Sequence, residues 1–256
     1  MTAIIRTARN FYSIALMLLI WQTVAHFELV PAFFLPPIPV ILSRAWEFIL
    51  SGKLPRDISQ TIFRAMSSLL LASSAGIPLG LMMSRNKTIR WFFDPLVSIG
   101  LPSPKVSFIP IFILWFGFGD MSKIMLTFFS CLFPIVNMTY LGAIGIDRYL
   151  VWSAQNMGTS ERALFWRVVL PATIPQVFGG LQIAFPISLI VITVTEMLRG
   201  GGGVGSAMMQ GSRFADMPIV FVNLITLALF GSVSMYIMRK IREALLHWHH
   251  EADALD

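Results

Sequence analysis

Few side chains in this 256-residue chain could do chemistry, and their spacing argues against each obvious reaction. The run Gly200-Gly201-Gly202-Gly203-Val204-Gly205 is rich enough in glycine to wrap a phosphate. No Gly-Lys-Ser/Thr follows it, however, so it is not a Walker-type phosphate loop, and it reads instead as a flexible outer turn. His247, His249 and His250 invite a metal reading. They lie in a short tail behind Arg239, Lys240 and Arg242, where a solvated helix end accounts for them better, and no metal is expected. Cys131 is the one cysteine, which excludes an internal disulfide and a Cys-based zinc site. Outside the tail the only histidine is His26, and no carboxylates cluster, so an intramembrane transferase or hydrolase has no constellation to work with. The sequence therefore predicts no catalytic residue, no cofactor bound by this chain and no means of hydrolysing ATP.

What remains are isolated polar residues inside apolar runs. Lys105 lies between Pro104 and Pro110; the favoured reading is a span broken by prolines with the ammonium snorkelling to the inner surface, the alternative a passage-lining cation that attracts an anion. Glu196 closes an apolar run just before Arg199 and is read as half of a local outer pair, ahead of a gate or substrate role. Asn137, Thr139, Gln182, Ser188, Thr193 and Thr195 are candidates for lining a passage.

The elements that must hold these residues follow from composition. Charged residues are 12% of the chain and hydrophobic ones 56%, against roughly 25% charged in a soluble domain. So few charges cannot cover a soluble protein's surface, and so much apolar residue excludes disorder. The formal net charge is +6, but the positives are scattered between apolar runs instead of forming a nucleic-acid face. An all-α polytopic membrane protein is left. A spanning helix needs about 20 mostly apolar residues, and six stretches qualify: 11–30, 58–83, 92–116, 121–143, 174–198 and 218–238. The first follows Arg6 and Arg9 like a secretory signal, but no small-residue cleavage site succeeds it, so it reads as a retained helix.

Orientation comes from Lys and Arg in the connections. With the N-terminus inside, the inner segments hold Arg6, Arg9, Arg85, Lys87, Arg90, Arg148, Arg162, Arg167, Arg239, Lys240 and Arg242. The outer segments hold only Arg44, Lys53, Arg56, Lys123, Arg199 and Arg213, so both termini are expected in the cytoplasm. Arg64 and Lys105 fall within spans. The outer connection 31–57 opens with Pro31, Pro36, Pro37 and Pro39 and then predicts an interfacial helix over 40–50, ended by Ser51-Gly52. In the second span Ala72, Gly76 and Gly80 recur every four residues, which predicts close helix packing within the subunit, with a dimer seam as the alternative. The whole chain, 1–256, reads as one transmembrane domain with its core over 58–242.

The inner connection 144–173 is longer than a bundle needs. Asp147 is a natural N-cap and Gly158 a helix stop. Between them Leu150, Val151, Ala154 and Met157 share a helical face. Thr159 or Ser160 caps a second short helix with Glu161 in its first turn, and Pro171 and Pro175 mark re-entry into the bilayer. Two short amphipathic helices joined at a sharp glycine turn are expected to project as a knob.

This loop resembles the EAA motif of ATP-binding-cassette importer permeases: Glu-Ala-Ala, three residues, Gly, nine residues, Ile, any residue, Leu-Pro. Trp152, Ser153 and Ala154, then Gly158, then Val168, Leu170 and Pro171 stand at those places with full spacing. Trp152 replaces the usual acid and Ser153 the first Ala, which shifts the expected docking from a salt bridge toward apolar contact. The stretch Ser103-Pro104-Lys105-Val106 through Pro110 to Gly117, with Gly119 and Ser122-Lys123, resembles the nitrate/sulfonate/taurine branch, as do Phe133-Pro134, Gly179-Gly180-Leu181, Glu196 and Gly203-Val204-Gly205. The likeness runs from about Leu35 to Arg242. It implies a type I importer permease core in the bacterial inner membrane, with the loop as a coupling helix whose contact residues are Trp152, Ser153, Ala154, Gly158, Thr159, Ser160, Leu170 and Pro171. It also implies two ATPase subunits that hold ATP and Mg, a second permease subunit (a homodimer), surrounding membrane lipids, and a periplasmic or lipid-tethered binding protein. The solute would be a small anion such as nitrate, bicarbonate, taurine or another sulfonate, or a vitamin precursor. A secondary transporter is the rival reading; it calls for intramembrane acids or an inverted repeat, and the acids here lie in loops and at span ends.

Overall fold

In lipid each backbone N–H and C=O needs a partner from its own segment, which leaves helix as the default for an apolar chain. The structure, a computed structural model, describes residues 2–246, with side chains from residue 12 onward, and every regular element in that range is helical. The metal reading of His247, His249 and His250 falls outside the described residues.

The order is α1 (Thr2–His26), α2 (Ile38–Leu50), α3 (Lys53–Arg85), α4 (Lys87–Gly100), a 3-10 turn (Lys105–Phe108), α5 (Ile109–Phe116) and α6 (Asp120–Ile144). There follow α7 (Arg148–Asn156), α8 (Glu161–Leu164), a π turn (Phe165–Val169), α9 (Leu170–Arg199), α10 (Val204–Arg213) and α11 (Met217–Leu245). The interfacial helix expected over 40–50 is α2, closed at Ser51 with Gly52 at φ +71°. The proline-rich entry to it is tied back to α1, where Gln22 accepts from the Ile38 N–H at 3.0 Å and Trp21 donates to the Pro36 carbonyl at 3.0 Å. Arg44 on α2 reaches Asp216 at 2.8 Å and Glu47 at 2.7 Å, and these two carboxylates raise its pKa above the ordinary guanidinium value.

The third of the six expected spans needs correction. Among the described residues four helices are long and apolar enough to cross a membrane, and a fifth crossing exists only if a bent pair is one span. That pair replaces the expected continuous helix over 92–116: Lys87–Gly100 and Lys105–Phe116 meet at 101°. Pro102 and Pro104 lack the N–H that would carry the ladder through, so the chain turns there. The first expected span falls on α1, a 25-residue helix that ends at His26, four residues before the expected boundary.

The core is a three-helix contact of α3, α6 and α9. Ala65, Leu69 and Ala72 pack on Cys131 and Ile135 and on Ala184, Phe185, Leu189 and Ile192, all under a tenth exposed. The small-residue row on α3 faces inward, as the intrasubunit reading expects. A Cβ on Gly80 would stand 2.7 Å from the Val136 carbonyl oxygen, and one on Gly76 3.0 Å from Ile135. The backbones of α3 and α6 therefore approach most closely at Gly80, where a side chain would meet backbone, and nearly as closely at Gly76. The last helix, α11, is barely buried in this chain, with just 11% of its most apolar window covered.

Candidate functional site

Two constellations stand at opposite ends of the α3–α6–α9 core. At the inner-loop end Asp147 Oδ1 accepts from the Tyr149 N–H at 2.8 Å and starts α7. The helix stops at Gly158, whose φ is +79°, with its N–H on the Gln155 carbonyl (2.9 Å) and the Thr159 N–H on the Ala154 carbonyl (3.1 Å). Only glycine adopts that conformation at little cost. Ser160 Oγ then accepts from the Ala163 N–H at 3.4 Å and opens α8, with Glu161 in its first turn.

No residue of α7 is buried. Trp152, Tyr149 and Met157 are 53%, 74% and 83% exposed, with the Trp152 and Tyr149 rings edge to face at 5.7 Å. Ser153 is exposed and Ala154 half-buried beside them. A nine-residue helix with no buried residue and two exposed aromatic rings presents an apolar patch of the kind that marks an interaction surface.

The second short helix is not a separate element, contrary to the expected pair. From Glu161 the chain stays helical to Arg199, 39 residues, interrupted only by the π turn. Pro171 explains the interruption: it has no N–H for the Arg167 carbonyl, and the ladder widens there instead of ending. Leu170 and Pro171, both half-buried, thus sit on the first turn of a spanning helix. Arg85, at the end of α3, lies 5.2 Å over the Phe165 ring and 3.9 Å from Glu161, which seats this end of the helix.

At the outer end Glu196 is fully buried and Arg64 is 2% exposed. Their ion pair closes at 2.5 Å. Glu196 also accepts from Thr61 Oγ1 (2.9 Å) and the Gly205 N–H (3.1 Å). Arg64 donates to the carbonyls of Gly202 (2.9 Å) and Gly201 (3.0 Å) and meets Asp120 at 2.9 Å. Buried Lys123 donates to the Gly200 carbonyl at 2.8 Å, and Asp57 accepts from the Gly203 N–H at 3.2 Å. Charges survive burial only with such saturation.

Two expectations fail here. The glycine run is not a flexible turn: Gly200, Gly201, Gly202 and Gly203 all have φ between +70° and +97°, and side chains from α3, α6 and α9 hold it. Glu196 does not pair with Arg199 either. It faces α3, while Arg199 turns to Ser122 and to the Gly117 carbonyl (3.1 Å). The sequence reading passed over Arg64, Asp57 and Lys123. An arginine inside a span was the available signal, since such a charge requires a partner.

The remaining passage candidates differ in burial and in partners. Thr193 is buried, and its carbonyl packs with Glu196 on Gly205. Ser188 is buried and donates to the Phe185 carbonyl at 2.7 Å. Asn137 and Gln182 are half-buried, and Gln182 accepts from Arg242 at 3.5 Å. Lys105 stands at the 101° bend, half-buried, donating to the Leu101 carbonyl with its ammonium 5.9 Å from the Phe133 ring centroid. Among the described residues no three His, Cys, Asp or Glu side chains gather as a metal site.

Comparison with known proteins bears on the whole arrangement. The chain is similar to the taurine transport system permease protein TauC of Escherichia coli, 25% identical over 93% of this chain and 89% of the relative. It is 30% identical to the putative aliphatic sulfonates transport permease SsuC of Bacillus subtilis, over 92% of this chain and 86% of that one. The formylaminopyrimidine transport permease ThiX of Halalkalibacterium halodurans is 29% identical over 91% and 92%. In fold, a chain of the inward-facing MetNI methionine ABC transporter superposes with a TM-score of 0.66 at 18% identity, covering 77% of this chain and 97% of that one. The model of the family described as binding-protein-dependent transport system inner membrane component matches residues 76–246, and the chain belongs to that family.

Proposed function

We propose that this chain forms the membrane passage of an ATP-driven importer for a small sulfonate, with α7 as its contact to the ATPase. The observation that carries the reading is α7 itself, a helix with no buried residue that holds the Trp152-Ser153-Ala154 part of the motif resemblance. Trp152, Ser153, Ala154, Gly158, Thr159 and Ser160 form that contact, and Leu170 and Pro171 pass its movement into α9. Two ATPases hold the ATP and Mg, a second copy of the permease completes the passage, and a binding protein delivers solute on the opposite face. The sulfonate class is taken from the relatives TauC and SsuC. The relative ThiX is named for a formylaminopyrimidine, which supports a scaffold open to more than one solute, with the choice resting largely on the binding protein.

Uptake of labelled taurine and of an alkanesulfonate into proteoliposomes holding the permease, its ATPase and the binding protein tests this. Accumulation should require ATP inside and the binding protein outside. Uptake that follows an imposed ion gradient without ATP would instead favour a secondary transporter. In the same assay Lys105→Met should lower uptake several-fold with the ATPase still bound if the ammonium draws the anion along the path. Unchanged uptake across substrate concentrations returns Lys105 to its local bond with Leu101.

Both termini are assigned to the cytoplasm on the distribution of Lys and Arg. Cysteines at the exposed positions Lys53 and Arg213 should react with an impermeant thiol reagent on intact cells, and one at Lys87 should not. Native Cys131 is fully buried and contributes no background. Gly202 is a poor reporter, because a Cβ there would meet Gln60 at 2.1 Å. Labelling at Lys87 with silence at Lys53 reverses the assignment.

A further inference from the structure

The inner-loop end of α3 carries a feature that shares only Leu170 with the coupling residues and nothing with the outer ion pair. Between the last turns of α3, the start of α4 and the π turn lies a groove of about 460 Å³, walled by Leu81, Met82, Ile89, Phe165 and Trp166. Its one charged wall residue is Arg85. Trp166 is 60% exposed and Met82 51%, so the groove opens sideways from the bundle and not into its core.

Around the first turn of α4 a second recess holds Lys87, Arg90, Trp91 and Asp94. Trp91 is 80% exposed. Lys87 is exposed and has no ion pair among the described residues, while Arg90 lies 5.4 Å over the Tyr140 ring. Glu161 approaches Arg85 only at 3.9 Å, the far edge of an ion pair, and is itself 88% exposed. Against Arg85, Lys87 and Arg90 stand Glu161 and Asp94, which leaves one positive charge in surplus where a spanning helix leaves the apolar layer.

We propose that groove and rim together bind one anionic phospholipid. An acyl chain lies against Leu81, Met82, Ile89 and Trp166, and the phosphate is held by Arg85 and Lys87. An apolar slot at the end of a spanning helix, beside a surplus of positive charge and two exposed tryptophans, matches the three parts of such a lipid in order: chain, interface and headgroup. A protein segment would match the slot but would leave Lys87 unanswered. A soluble phosphate would answer Lys87 but leave the slot empty. The proposal rests on α3 being a spanning helix, and does not depend on which solute is carried or on the ATPase contact.

The test uses the full chain in nanodiscs of phosphatidylcholine, with or without phosphatidylglycerol. Native mass spectrometry reads retained lipid, and thermal unfolding reads stabilisation. The wild type should keep one phosphatidylglycerol and unfold at higher temperature when it is present. Arg85→Gln/Lys87→Gln should weaken retention roughly tenfold or more. Met82→Trp fills the slot with the cations left in place, and should also expel the lipid. Lys87→Gln alone, on an exposed side chain, should lose several-fold and keeps the test decisive if another variant fails to fold. Retention unchanged in all three variants overturns the site. Equal stabilisation by soluble glycerol phosphate makes it a bare phosphate site, and displacement of the lipid on adding the ATPase or on permease dimerisation makes the groove a protein contact; either result overturns the lipid assignment.

Discussion

Arg64→Leu should cost about 3–5 kcal/mol of stability, enough to remove most folded protein from the membrane fraction. The substitution leaves Glu196, fully buried, with a carboxylate and no counter-charge. It also takes the Arg64 donors from the Gly201 and Gly202 carbonyls, so the loop between α9 and α10 keeps only Asp57 and Thr61 as its anchors to α3. Glu196→Leu should be harmful too, since it leaves Arg64 with only the half-exposed Asp120 as counter-charge and frees the Gly205 N–H. The double variant Arg64→Leu/Glu196→Leu should recover part of the loss, because desolvating neither charge is cheaper than desolvating one. It should not recover all of it, because the Gly201 carbonyl has lost its Arg64 donor and Gly202 keeps only Ser206. Thermal unfolding of the three variants in detergent measures the cycle. A single Arg64→Leu within about 1 kcal/mol of wild type would show that the pair contributes as little as a surface pair does.

Gly158→Val should leave the permease in the membrane and abolish ATPase association. A Cβ at Gly158 would touch nothing within 4 Å, so the substitution creates no clash. Its effect is purely on the backbone: φ +79° is a region that costs a residue with a side chain roughly 1–2 kcal/mol, and a β-branched one is the least tolerant. The chain avoids that cost by re-aiming α7 relative to α8, which displaces Trp152 and Tyr149 together. Trp152→Ala should weaken ATPase binding by about 2 kcal/mol or more, the range typical of a central interface aromatic, which is roughly thirtyfold in affinity. Gly158→Val should be the more severe of the two, since it moves every contact at once. Co-purification of the ATPase with each variant, alongside ATP-dependent uptake, reads both effects. Wild-type behaviour of Gly158→Val would detach α7 from the coupling role.

The inner end was legible in the sequence because its signals are local. Asp147, Gly158 and Ser160 act on hydrogen bonds within three or four residues of themselves, and the structure uses each as expected. The continuity of the second short helix with α9 was not legible. Ser160 reads as a helix start and Pro171 as another, and nothing local shows that the ladder passes Pro171 through a π turn. The break in the third span was half legible: Pro102, Pro104 and Pro110 announce a disturbance, but its 101° is set by what packs there. The outer ion pair was hidden for the opposite reason. Arg64 and Glu196 are 132 positions apart, and Arg199, three residues from Glu196, supplied a nearer and wrong partner. Helix periodicity cannot tell which of two neighbouring cations a carboxylate faces. The glycine run misled for a related reason, since glycine permits a φ near +80° in a loose turn and in a clamped one alike.

The unbroken helix from Glu161 to Arg199 has a mechanical consequence. At 1.5 Å per residue its 39 residues make a rod of roughly 58 Å, longer than the apolar thickness of a bilayer. One end begins three residues after the Gly158 hinge, and the other carries Glu196, bolted to α3. A torque delivered to α7 therefore reaches the far face of the membrane along a single piece of chain. Its stiffness is lowest at the π turn, at Pro175 and at Pro186, where the ladder lacks rungs. Those three compliant points, and not the ends, are where bending of the rod should concentrate.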